Sequence, residues 1–428
     1  MNDDNKPLSD SALAELLAKM DEGPKAVPAV ARTGYARPRV SVSFEDHPLY
    51  QQMKFQRSFA AFAKLRSPYY RLHEVKAGAA SVIEGRAVAK AASEFGSSVS
   101  ASRISAGERS VHRDLEGAIA RNYEAEDSIA FVSGHAAAVS TIATLLGPKD
   151  LLLHDALIHN CVVVGAQLAG CTRRLFPHND LDALEAALLA DRHRFERVLI
   201  VSEGLFSMDG DGPDLARLIA IKTDFAAWLM IDDAHGLGVL GPRGRGIFEH
   251  QAVAPGGVDL WLGTLSKSLV SCGGYIAGCE AVVDLLKHQA PGFVYSVGMP
   301  APAAVAATVA LELMAREPER VARLQRQSQR FFERAREAGL DTGESWGLGV
   351  VPVIIGETVP TLVLAERLLG HGINAFPIVP PGVPEKLARL RFFINATHSD
   401  QQIDDAVDSG AREIRELGDV SLKTILRA

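Results

Sequence analysis

The stretch Val258-Asp-Leu-Trp-Leu262-Gly-Thr-Leu-Ser-Lys267-Ser-Leu269 decides how this chain is read. An apolar strand-like run ends at Leu262, small hydroxylated residues follow, and Gly273-Gly274 comes just after. A lysine carried past the end of a buried strand loses hydration, which lowers the pKa of its amine and suits it to Schiff-base chemistry. Thr264 and Ser266 beside it are hydroxyl donors suited to a phosphate. A lysine that merely ends a strand at the surface reads the same way on this segment alone, so the rest of the chain has to decide.

The upstream sequence repeats one pattern. Leu151-Leu-Leu-His-Asp155, Arg197-Val-Leu-Ile-Val201 and Trp228-Leu-Met-Ile231 are apolar strand candidates, with helical stretches near Leu181–Leu189 and Leu215–Lys222 between them. Apolar strands spaced by helices predict an α/β fold, a mostly parallel sheet sandwiched by helices, with chemistry beyond the strands' carboxyl ends. Ser202, Glu203, Ser207, Asp232, His235 and Lys267 are the polar residues at those ends. Ser133-Gly134 opens a further helix, whose free N–H groups and positive dipole end could seat a phosphate; plain capping by Ser133 reads alike. Gly236-Leu-Gly238-Val-Leu-Gly241 matches the G-x-G-x-x-G dinucleotide fingerprint, yet Pro242-Arg-Gly244-Arg-Gly246 follows where a helix would have to start. A nicotinamide or flavin site is therefore set aside.

With 428 residues the chain is long enough for two or three lobes. A net charge of −7 argues against a nucleic-acid-binding surface. The four cysteines form no C-x-x-C pair and the thirteen histidines no metal-binding group, so no metal is expected and the thiols read as reduced, in a cytoplasmic protein. No apolar run is long enough to span a membrane, and the acidic start Met-Asn-Asp-Asp is unlike a signal peptide.

Residues 1–75 read as an amphipathic helix (Leu13, Leu16, Leu17, Met20) capped by Ser9 or Asp10, a Pro/Ala/Arg linker, and an aromatic packing segment over 47–73. Gly85 reads as a tight turn. Residues 76–295 read as the large domain. Residues 296–428 read as a smaller α+β domain, with helices over 303–316 and 317–338, strands over 350–355 and 390–394, and a helix over 361–370.

The strand-end residues answer a single chemical need, that of a pyridine cofactor held as a lysine Schiff base. Asp232 is the carboxylate for the ring nitrogen, and His159 can stack on the ring. Ser133, Gly134, Thr264 and Ser266 can surround a phosphate, and Ser207 and His235 can reach the ring's 3-oxygen. The ordered series Ser102-Arg103, Ser133-Gly134, Glu203-Gly-Leu-Phe-Ser207-Met-Asp-Gly210, Asp232-Asp-Ala-His235, Gly263-Thr-Leu-Ser-Lys267 and Ala388-Arg-Leu-Arg391 resembles the α-oxoamine synthases. These are pyridoxal-phosphate enzymes of the fold-type-I aminotransferase superfamily, and the likeness covers roughly residues 75–415.

The resemblance implies that Lys267 is the Schiff-base lysine and the base at the amino acid's Cα. It makes His159 the stacking residue, Asp232 the pyridinium partner, His235 a second ring contact and Arg391 the clamp for the substrate carboxylate. It also places His135, the residue after Ser133-Gly134, in the cofactor-binding set. The implied reaction is a decarboxylative Claisen condensation of a small amino acid with an acyl thioester, carried by coenzyme A or a carrier protein, in a homodimer. The flanks of Lys267 are most similar to the serine palmitoyltransferase branch and its polyketide-associated relatives, which favours serine. The alternatives are an 8-amino-7-oxononanoate synthase-like or glycine-using branch, an aminotransferase, and a non-catalytic scaffold. The chain departs from the family pattern at His135 and Ala138, where an aromatic residue and an asparagine are usual. It departs at Val297, usually a hydroxyl residue offered to the neighbouring subunit's phosphate. It also lacks the family's Asn-Tyr-Leu-Gly segment after Gly85-Arg86.

Overall fold

The computed structural model describes Glu45, residues 47–51 and residues 85–417. The expected helix near Leu13–Met20, the linker after it and most of the aromatic segment lie outside the described residues. The chain divides into two units, Met1–Phe62 and Ala63–Ala428, and everything below concerns the second.

Its centre is a seven-stranded sheet of β1 (Asp127–Phe131), β2 (Leu151–Asp155), β3 (Thr172–Phe176), β4 (Val198–Glu203), β5 (Trp228–Asp232), β6 (Leu260–Thr264) and β7 (Gly274–Gly278). The strand order is β1-β7-β6-β5-β4-β2-β3. Strands β2 to β6 pair in parallel, and β7 runs antiparallel to both its neighbours. Every residue of β2 and β4 is buried, as a parallel sheet covered on both faces requires. Side chains alternate between two cores because successive strand residues face opposite sides. Leu151, Leu153, Ile200, Leu229, Ile231 and Trp261 enter one; Leu152, Leu199, Val201, Met230 and Leu262 enter the other. Each such leucine, fully buried, contributes roughly 1.5–3 kcal/mol, and Trp261→Ala would cost about 3–5 kcal/mol.

The covering helices are α1 (Gly85–Phe95), α2 (Ser110–Tyr123), α3 (Gly134–Leu145), α4 (Asn160–Ala169), α5 (Leu181–Asp191), α6 (Leu215–Asp224), the short α7 (Ile247–His250), α8 (Glu280–Gln289), and the short α9 (Pro291–Val294). Their starts are written in the sequence: Ser133, Asp180 and Asp214 each accept a backbone N–H of the first turn, from Ala136, Ala183 and Arg217.

After Val294 the chain forms α10 (Ala301–Arg316) and α11 (Glu319–Glu337), broken at Glu317-Pro318 where proline removes a helical donor. A second, antiparallel sheet follows, in the order β8 (Val350–Gly356), β10 (Ala388–Phe393), β9 (Phe376–Ile378). Helices α12 (Thr358–Gly370) and α13 (Asp400–Leu417) pack on it around Phe331, Val351, Leu364, Leu390 and Val407.

One expectation is corrected, and two strands went unread. Gly85 does not make a tight turn: it opens α1, because the alanine-rich run after it favours helix. Strand β3 escaped notice because it is an edge strand whose Thr-Arg-Arg-Leu sequence is half exposed. Strand β7 was hidden by its glycines, which are required: a Cβ on Gly274 would lie 2.3 Å from the Cα of Gly134. That close approach brings the start of α3 against the sheet. The Gly236–Gly241 segment forms turns and no helix, with φ of +81° at Gly238 and +83° at Gly241.

Candidate active site

The carboxyl ends of the parallel strands deliver Asp155, Glu203, Asp232 and Thr264 to one edge of the sheet. Glu203 and Asp232 are direct cross-strand neighbours. Lys267 stands three residues beyond β6 in a loop closed by its own backbone, with Leu265 N–H on Gly273 O (2.9 Å), Val270 N–H on Lys267 O (3.0 Å) and Ser271 N–H on Leu265 O (2.8 Å). Gly238 lies against this loop, since a Cβ there would meet the Cβ of Ser268 at 2.4 Å. Lys267 is exposed and lines a cleft of about 830 Å³ whose lining also includes His159, Ser207, His235 and Arg391. Desolvation in that cleft lowers the Lys267 pKa below the usual lysine value, against the opposing pull of Asp232 and Glu203.

Asp232 is buried, and burial raises its pKa while the nearby Lys267 charge opposes the rise. One of its oxygens accepts the Ala234 N–H at 3.1 Å. Among the described residues the other has no hydrogen-bond donor, which leaves an acceptor for a protonated ring nitrogen. Glu203, its fully enclosed neighbour, is pushed further up, first by burial and then by Asp232. Its two oxygens accept the backbone N–H of His159 (2.8 Å) and of Ser207 (3.3 Å). One carboxyl group thus ties together the two loops that carry those side chains.

His159 caps α4: its Nδ1 accepts the Cys161 N–H at 3.3 Å and lies 3.0 Å from the Cys161 sulfur. With Nδ1 accepting, the neutral ring carries its proton on Nε2. Burial lowers the His159 pKa, Asp232 opposes, and Lys267 and His135 add to the lowering. His235 is held neutral more strongly, by burial and then by Lys267, Arg391 and His159. It stacks on Phe393, 6.3 Å between ring centres.

The phosphate-seat residues form a separate group beside the cleft rather than part of its lining. Ser133 caps α3, and a Cβ on Gly134 would stand 3.2 Å from the Cβ of Thr264. The Thr264 hydroxyl donates to Gly273 O (3.0 Å) and sits 2.8 Å from Ser266 Oγ. Helix N-terminus and hydroxyl loop therefore meet, with Ser266 exposed to receive an anion. His135, in the first turn of α3, is also exposed.

Strand β10 presents Arg389 and Arg391 on one face, and both reach the loop after β4. Arg389 Nη1 binds Met208 O (3.1 Å) and Asp209 Oδ1 (2.5 Å). Arg391 Nη1 donates to Ser207 O at 2.8 Å, while its Nε is buried without a partner among the described residues. Its guanidinium lies over Phe393, 4.6 Å from the ring centre. Burial brings the Arg391 pKa down to about 10, Glu203 opposing. A half-buried guanidinium on the cleft wall, with no carboxylate bonded to it among the described residues, is a receptor for an incoming one.

The residues thus fit pyridoxal phosphate: an anion seat at α3, a buried carboxylate acceptor, a lysine and an imidazole on the same cleft. Sequence reading gave Glu203 a place at the strand end but no contacts. It missed Cys161, whose partnership with His159 depends on helix geometry. It also missed His178, which bridges Asp155 and Asp211 at 2.9 Å each and braces the Ser207–Asp211 loop. His178 follows a strand that was itself overlooked.

Comparisons with known proteins show the family. Residues 78–409 match the family described as aminotransferase class I and II. The chain is 40% identical over 336 residues to 8-amino-7-oxononanoate synthase of Geobacter sulfurreducens, covering 78% of this chain and 85% of that one. It is 40% identical over 333 residues to the protein of the same name from Methylobacterium nodulans, covering 78% and 82%. Among solved structures, serine palmitoyltransferase of Sphingomonas wittichii superposes with a TM-score of 0.83 over 89% of this chain and all of that one, at 24% identity. 8-Amino-7-oxononanoate synthase of Francisella tularensis does so with a TM-score of 0.68 over 78% and 95%, at 22% identity; both likenesses concern the fold. The chain belongs to the aminotransferase class I and II family and, within it, to the α-oxoamine synthases, the pyridoxal-phosphate-dependent acyltransferases.

Proposed function

We propose that the chain condenses alanine with the half-thioester of a seven-carbon dicarboxylic acid, releasing CO2 and a thiol. The observation that carries the condensation is the shared cleft: Lys267 and Arg391, which has no carboxylate partner among the described residues, line it together. The substrates follow from the relatives' name. Cutting 8-amino-7-oxononanoate between its ketone and its amine-bearing carbon leaves a seven-carbon acyl group ending in an acid, and alanine without its carboxylate. Motifs around Lys267 favoured serine, whereas relatives at 40% identity support the alternative branch.

Pyridoxal phosphate, when bound, supplies an aldehyde for the amino acid's amine and a ring that withdraws electrons from its Cα. Asp232 would hold the ring nitrogen's proton, His159 would stack on the ring, Ser207 and His235 would serve its 3-oxygen, and Ser133, Gly134, His135, Thr264 and Ser266 would hold the phosphate. Lys267, whose pKa burial lowers, takes the proton from Cα. Arg391, on the cleft wall, grips the substrate carboxylate with its guanidinium, fixing the bond to be broken. The new bond joins Cα to the acyl carbon as the thiolate leaves, and the carboxylate departs as CO2. The Cα proton and one from solvent end on the thiol and on the product carbon, which balances the reaction.

In this reading residues 76–295 bind the cofactor, and residues 296–428 supply Arg391. The active unit is a homodimer, supported by the exposed Ile104, Tyr295 and Val297 on two stretches joined by Gly298 N–H on Ala101 O (2.9 Å). Among the described residues no helix is long and apolar enough to cross a membrane, and the unpaired cysteines support a cytoplasmic location.

The test is mass spectrometry of products from alanine, serine and glycine, each with heptanedioyl and hexadecanoyl thioesters. The proposal expects the mass of 8-amino-7-oxononanoate from the first pair and none with Lys267→Ala. Preference for serine with the long chain would overturn the substrate assignment.

A further inference from the structure

The cleft that holds Lys267 does not end at the reacting groups. Beyond them its wall is apolar, formed by one face of α10 and the start of α11. Ala310, Leu313, Met314 and Glu317 line it at the i, i+3, i+4, i+7 spacing of a single helix face. Leu324 of α11 and Leu269, two residues past Lys267, contribute further apolar wall. Leu313, Met314 and Leu324 are only half-buried among the described residues, so this wall lacks the cover a core face would have. Arg320, in the first turn of α11, lines the same cleft; it is 65% exposed and its Nε pairs with Glu317 at 2.6 Å. No bond among the described residues engages its terminal nitrogens.

We infer that this wall is the acyl-chain subsite, and that Arg320 receives the carboxylate at the far end of the chain; the inference rests on the condensation proposed above. From Ala310 to Glu317 the helix rises about 10 Å at ~1.5 Å per residue. An extended chain advances ~1.2 Å per bond, a third of a residue's reach, so that length seats roughly eight bonds. A seven-carbon dicarboxylic half-thioester fits, with its apolar middle on Leu313 and Met314 and its charged end at Arg320. A sixteen-carbon chain overruns the wall. The thiol arm, rich in amides, gains less from an apolar surface than methylenes do, each of which changes affinity about fourfold. The chain therefore occupies the wall, and the thiol arm leaves by another path.

The test compares kcat/KM for heptanedioyl, heptanoyl and hexadecanoyl thioesters, each as the coenzyme A and the N-acetylcysteamine derivative, in the wild-type holoenzyme, Arg320→Gln and Leu313→Trp. Arg320→Gln is expected to lower the heptanedioyl value about tenfold more than the heptanoyl value, whichever thiol is attached. Leu313→Trp is expected to lower both seven-carbon substrates. An Arg320→Gln effect that follows the thiol arm, or that is equal for both chain ends, would overturn the assignment. Calorimetry with the unreactive thioether S-(6-carboxyhexyl)-coenzyme A separates this failure from failure of the reaction itself. Binding that weakens about tenfold in Arg320→Gln supports the subsite even if no thioester is turned over; unchanged binding refutes it.

Discussion

Arg391 is the residue whose surroundings say most about what is absent from them. Folding places a guanidinium in a cleft, uses one nitrogen to hold Ser207 O and leaves Nε buried without an acceptor among the described residues. The half-buried guanidinium, with no carboxylate bonded to it among those residues, receives an incoming one. Arg391→Lys keeps the charge but loses the planar fork, and is expected to raise the KM for the amino acid about tenfold with a smaller change in the KM for the thioester. Steady-state kinetics with each substrate varied in turn reads the difference. Equal increases would indicate a general collapse of the cleft instead. His159, His235 and Lys267 follow the same logic in reverse, since burial lowers the pKa of each and so favours its uncharged form.

At the scale of elements, the loop from Ser207 to Asp211 joins the two sheets. Arg389 and Arg391 hold it from β10, Glu203 from β4, and His178 clamps Asp211 to Asp155 at the end of β2. Those two carboxylates outweigh burial and raise the His178 pKa from 6.5 to about 10. A group raised in this way stabilises the fold fully below its unfolded pKa of 6.5 and loses that contribution as pH climbs through about 10. Breaking one side of a buried ion cluster costs about 3–5 kcal/mol. His178→Gln is therefore expected to lower unfolding stability by about 3 kcal/mol at neutral pH, and the deficit relative to wild type should shrink towards pH 10. Urea unfolding of both proteins across that range checks it, and a deficit that grows with pH would contradict the assignment.

These elements also show how far the sequence could be read. Parallel strands such as β4 and β5 announce themselves because burial on both faces leaves a continuous apolar run, and capped helices announce themselves through Ser133, Asp180 and Asp214. Residues at strand ends were legible for that reason, and so were Asp232, His235 and Lys267. Strand β3, half exposed at an edge, and strand β7, rich in glycine, carry no such run. With β3 unseen, His178 had no place, and the Cys161–His159 contact needs a helix turn that no motif spells. The helix over 303–316 was legible, and only the structure shows that Leu313 and Met314 on it are half uncovered.

At the scale of the molecule, the exposed Tyr295, Val297 and Ile104 are expected to be covered by a second copy of the chain. Tyr295→Asp should shift sedimentation towards the monomer and lower activity at dilute concentration, whereas an unchanged dimer would remove that patch from the interface. The central claim is that the carboxylate gripped by Arg391 leaves as CO2 while a thioester is consumed. It is tested most directly by giving the holoenzyme alanine labelled with carbon-13 at its carboxylate, together with heptanedioyl-coenzyme A. The account predicts labelled CO2 and free thiol in equal amounts. Label retained in pyruvate, with no thiol released, would mean amino transfer and would contradict it.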